Sequence, residues 1–83
     1  MISVDVKVPA IEKTYDFSLD ENEMTVMICI EEIAEMICQR EGLISDVGIE
    51  NMILIDKSSR QILEKSRTLS ENNIKSGDTL ILV

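Results

Sequence analysis

Arg67-Thr-Leu-Ser-Glu-Asn-Asn-Ile-Lys-Ser-Gly-Asp-Thr-Leu-Ile-Leu-Val83 divides into a polar turning segment and an apolar strand. Leu69-Ser-Glu-Asn-Asn-Ile74 has the Ser/Asn content of a 3-10 or tight helical turn. Ser76-Gly77-Asp78 reverses the chain, and residues 79–83 read as the final strand. Immediately upstream, Gln61-Ile-Leu63 is long enough only for a short strand, and Asp56-Lys-Ser-Ser59 is a turn. The apolar run Met52-Ile-Leu-Ile55 is a third strand, and residues 43–50, with Ser45, Asp46 and Gly48, form the connection leading into it.

The first half of the chain has two different periods. Ile2, Val4, Val6 and Val8 alternate with Ser3, Asp5 and Lys7 until Pro9-Ala10, and Tyr15, Phe17 and Leu19 alternate with Thr14, Asp16 and Ser18. Two period-two runs joined by a short turn predict an antiparallel hairpin. After Asp20-Glu-Asn-Glu23, residues Val26, Ile30, Ile33 and Ile37 form one helical stripe, with Glu31, Glu32, Glu35 and Gln39 largely opposite. Gly42 suits the C-cap. Two starts are open: Thr25 can cap the helix but puts Ile28 on the polar side, whereas a start near Cys29 avoids that conflict. Met27, Cys29, Met36 and Cys38 widen the stripe.

Eighty-three residues allow one domain, and with only Tyr15 and Phe17 aromatic, aliphatic packing must hold it. Sixteen acids against eight bases give a net charge of −8, which repels phosphate backbones, so no nucleic-acid partner is expected. Residues 1–50 hold twelve acids and three bases, and residues 51–83 hold four acids and five bases. Lys57, Arg60, Lys65 and Arg67 cluster there, either as ordinary solubilising charge or as a basic docking edge. No apolar run approaches the ~20 residues that span a bilayer, and no basic and apolar leader precedes the first strand. A cytoplasmic location without membrane insertion is expected.

Chemistry has few candidates. There is no histidine to serve as a neutral-pH base, so neither Cys29 nor Cys38 has an activating partner. The two cysteines are nine positions apart, about 13 Å along a helix, and can neither bond to each other nor hold a metal. Glu31, Glu32 and Glu35 read as a solvated helix face, and Gly42, Gly48 and Gly77 are isolated rather than a phosphate loop. The expectation is no catalytic residue, no cofactor and no metal.

The order ββαββ, a tight turn and a last β resembles the β-grasp arrangement. Arg67-Thr-Leu-Ser, Asn73-Ile and Thr79-Leu stand at ubiquitin's spacing, and Glu41-Gly42-Leu43 is similar to ubiquitin's helix exit. The resemblance implies an α+β, ubiquitin-like fold: a mixed sheet of four to five strands crossed by one α-helix, with a short 3-10 turn before the last strand. The sequence ends at Val83 without a diglycine, so the tail chemistry of protein modifiers and sulfur carriers is not expected.

Lys13-Thr-Tyr-Asp-Phe17, Ile30-Glu-Glu-Ile-Ala-Glu-Met36 and the Gly77-Asp78 turn are similar to the YukD/EsaB group, small ubiquitin-like proteins associated with type VII (WXG100) secretion in bacteria. That resemblance implies a non-catalytic accessory or adaptor protein meeting a membrane component or ATPase of the secretion system. The other reading is a ubiquitin-like interaction module of another pathway.

The same family pattern puts Leu80, Leu82, Met52 and Leu54 against the helix. Ile53, Ile81 and Val83, with Ile55 beside them, then face outward, near Lys57 and Arg60. Contiguous exposed aliphatics signal an interface with a protein partner or with a second copy in a homodimer. A one-residue slip of the third strand would instead bury Ile53 and expose Met52 and Leu54.

Overall fold

The computed structural model describes residues 1–42 and 51–83; the predicted connection over 43–50 lies outside the described residues. Strand β1 (Ile2–Val8) and strand β2 (Lys13–Leu19) pair antiparallel along their whole length, from Ile2 opposite Leu19 to Val8 opposite Lys13. They are joined by a 3-10 turn, Pro9–Ile11, where proline's fixed φ and missing N–H suit the first helical position. Glu12 closes that turn in the left-handed region at φ 54°.

Helix α1 (Val26–Glu41) starts at the earlier of the two candidate caps: the Thr25 hydroxyl accepts the Ile28 N–H. Three other first-turn donors are also satisfied. Val26 N–H donates to the Arg67 carbonyl (2.8 Å), Met27 N–H to that of Lys65 (3.1 Å) and Cys29 N–H to that of Thr25 (3.0 Å). The distant 65–67 segment thus completes the helix start, a contribution that local periodicity does not contain. Ile28 accordingly stays on the outer side, 43% exposed. Gly42 ends the helix at φ 67°, its N–H on the Cys38 carbonyl.

Strand β3 (Leu54–Asp56), strand β4 (Gln61–Ile62) and strand β5 (Thr79–Leu82) complete a sheet ordered β2-β1-β5-β3-β4. β5 runs parallel to β1 and antiparallel to β3. The named strands are slightly shorter than the apolar runs, but pairing continues beyond them: Ile53 and Val83 exchange both backbone hydrogen bonds (2.8 and 3.1 Å), and Leu63 N–H donates to the Leu54 carbonyl (2.8 Å). Between β4 and β5, residues 68–74 make tight i→i+3 turns, Asn72 N–H to Leu69 and Asn73 N–H to Ser70. Asn72 clamps this segment, its Oδ1 accepting Glu64 N–H (2.9 Å) and its Nδ2 donating to the Glu64 and Thr68 carbonyls.

The core lies between the sheet and α1. Val4, Val6, Phe17, Leu19, Leu54, Leu80 and Leu82 from the strands meet Val26, Cys29, Ile30, Ile33 and Ile37 from the helix, with Leu63, Leu69 and Ile74 closing one end. Among the described residues, none that is buried is polar or charged. Cys29, fully buried, belongs to this core rather than to its margin.

Candidate functional site

Strand parity makes the other sheet face. Leu54, Leu80 and Leu82 are buried inward, so Ile53, Ile55, Ile81 and Val83 project to the side away from α1. The third strand therefore takes the register with Leu54 inside, and Met52 packs against the core. Ile55 is the register partner of both Ile62 on β4 and Ile81 on β5, which makes one apolar row across three strands. Ile53 opposite Val83 forms a second row beside it. Ile62 (62%) and Val83 (53%) are the most exposed members, and the other three are partly buried by their neighbours.

Ile62 is absent from the outward residues expected on sequence grounds. Its signal was the adjacent Leu63: an inward Leu63 in a short strand forces Ile62 outward. Lys57 does join this face. Its N–H donates to the Thr79 carbonyl (3.0 Å), extending the β3–β5 ladder one pair beyond Asp56. Arg60 lies in the turn before β4 rather than in a paired strand, in the left-handed region at φ 60°, its N–H on the Asp56 carbonyl. The Asp56 carboxylate organises that turn by accepting Ser58 N–H and both serine hydroxyls.

Across the rest of the face the rows become polar. Ile81 neighbours Lys7 on β1, Thr79 neighbours Asp5, and Asp5 stands opposite Asp16 on β2. The Asp16 carboxylate, by hydrogen bonding and charge, raises the pKa of Asp5 above the ordinary range. In the same way the Lys57 ammonium lowers Lys7 below the ordinary lysine range.

Two of the chain's ionisable groups are held by their surroundings, one by burial and one by hydrogen bonds. Burial, reinforced by the charge of Glu32, pushes the Cys29 thiol up to about 11, keeping it protonated at neutral pH. Glu41 is committed to structure: it accepts two hydrogen bonds from Lys13 Nζ (2.7 and 2.9 Å) and one from the Tyr15 hydroxyl. Among the described residues, no group of three or more Cys, Asp or Glu side chains is arranged to hold a metal ion.

The sheet order, the parallel β1–β5 pair and the single crossing helix match a known architecture. The fold is ubiquitin-like. It superposes on the solution structure of the ubiquitin-like domain of an Arabidopsis thaliana protein with a TM-score of 0.73, at 23% identity, covering 99% of this chain and 74% of the other. No protein-family model matches the sequence, and no curated protein does either. In this ubiquitin-like fold the apolar rows occupy the sheet face opposite the helix, and no described helix is long and apolar enough to cross a membrane.

Proposed function

We propose that the protein is a non-catalytic ubiquitin-like module that works by docking a protein partner on the outer face of its sheet. The observation that carries this reading is the Ile62–Ile55–Ile81 row with Ile53 and Val83 beside it. Folding leaves these aliphatic groups partly in water, and covering them returns roughly 25 cal/mol per Å² of apolar area. The protonated Cys29 thiol and the absence of histidine support the non-catalytic part.

The setting we propose is a bacterial type VII secretion system, in the cytoplasm, with a membrane component or the ATPase of that system as partner. This rests on the likeness of 13–17 and 30–36 to the YukD/EsaB group. The test is complementation. A strain lacking the gene receives wild type, Ile62→Glu or Ile81→Glu, and export of a WXG100 substrate is measured alongside the circular dichroism of each purified variant. We expect folded variants with lost export. Folded variants with full export overturn the docking role, and normal export without the gene overturns the secretion role.

A further inference from the structure

The chain has twice as many acids as bases, yet its docking face sets like charges beside like. Lys7 flanks Ile81 from β1, and Lys57 flanks Thr79 from β3, so the two ammonium groups converge beside the end of the apolar row. The ion pairs among the described residues are Met1–Glu21, Lys13–Glu41 and Glu64–Arg67, and none uses either lysine. Their repulsion is strong enough to depress Lys7. Further across, Asp5 and Asp16 repel each other in a directly opposed pair. Like charges directly opposite cost stability, so the folded chain alone gains nothing from this pattern.

We propose that the outer face binds an acidic, apolar polypeptide segment, whose aliphatic side chains cover the Ile62–Ile55–Ile81 row and whose carboxylate sits between Lys7 and Lys57. This rests on the reading of the face as a docking surface. One carboxylate replaces a repulsion by two charge-assisted hydrogen bonds. Asp5 and Asp16 repel the same carboxylate from the β1–β2 side, which fixes the direction in which the segment lies. A second copy laid with Ile55 on Ile55 is a poor occupant: turned about an axis along β3 it sets Lys57 on Lys57, and turned about an axis along the apolar row it sets Lys7 on Lys7. Nucleic acid would leave the aliphatic row uncovered.

The test is selection of a random peptide library on the immobilised full chain, followed by amide NMR titration with one enriched peptide. The expected consensus combines aliphatic and acidic positions, with shifts at Ile55, Ile62, Ile81, Lys7 and Lys57. Replacing the peptide's acid by its amide should weaken binding about 3- to 10-fold. On a Lys7→Gln/Lys57→Gln chain that difference should fall below about twofold, as it should in 1 M salt. An aliphatic consensus without acid, unchanged by the double substitution, overturns this proposal and leaves the docking face standing. Absence of any Ile62-dependent enrichment overturns both. Tighter binding of an RNA oligomer to the same lysines overturns it in favour of nucleic acid.

Discussion

Asn72 is one side chain holding three backbone groups, on Glu64 and Thr68, in the segment that brings β4 back to β5. Asn72→Ala leaves those groups to water or to nothing, and we expect a loss of about 1–3 kcal/mol in urea unfolding with an unchanged m-value. Glu41 carries a pH dependence. Its folded pKa is lowered, first by the Lys13 hydrogen bond and then by that of Tyr15, so its contribution is present above the unfolded glutamate value and lost as pH falls through the folded one. Thermal unfolding of wild type and Glu41→Gln should therefore differ at pH 7 and converge in acid below the ordinary glutamate pKa of about 4.3. Asp5 has the opposite sign, because its raised pKa marks a repulsion that is relieved by protonation. Asp16→Asn should consequently raise the melting temperature at pH 7 and have less effect near pH 3.

At the scale of elements, the two hydrophobic periods were enough to read the hairpin and the helix, since each apolar set falls on one buried face. The start of α1 was not readable that way. Thr25 and Cys29 compete on local pattern, and the decision comes from carbonyls of Lys65 and Arg67, about forty residues further on, which accept the first N–H groups. The cost of this solution is visible in the exposed Ile28. Thr25→Ala removes the hydroxyl acceptor of Ile28 N–H, and we expect a loss of about 0.5–2 kcal/mol in chemical denaturation. The 3-10 turn at Pro9–Ile11 escaped because proline after an alternating run marks only the end of a strand, leaving the shape of the next residues unspecified.

For the whole molecule, inside and outside are assigned by parity, and substitutions at neighbouring positions should separate them. Ile81→Glu adds a charge on the outer face and should shift the melting temperature by only a few degrees, whereas Leu80→Glu buries an unpaired carboxylate and should abolish the cooperative transition. Most of the candidate face was legible in the sequence because Leu80 and Leu82 pin the last strand. Ile62 was missed because a two-residue strand has no period of its own, and Arg60 stands in a turn, where parity assigns no face.

The parallel seam between β1 and β5 joins residues 5–7 to residues 79–81. During synthesis the hairpin and helix are therefore translated before the strand that lies beside β1 exists. Until then Val6 and its neighbours lack the Leu80 side of their packing, and the nascent chain must hold an open strand edge without pairing it wrongly. Residues 5–7 form one side of a joint whose other side is translated more than seventy codons later.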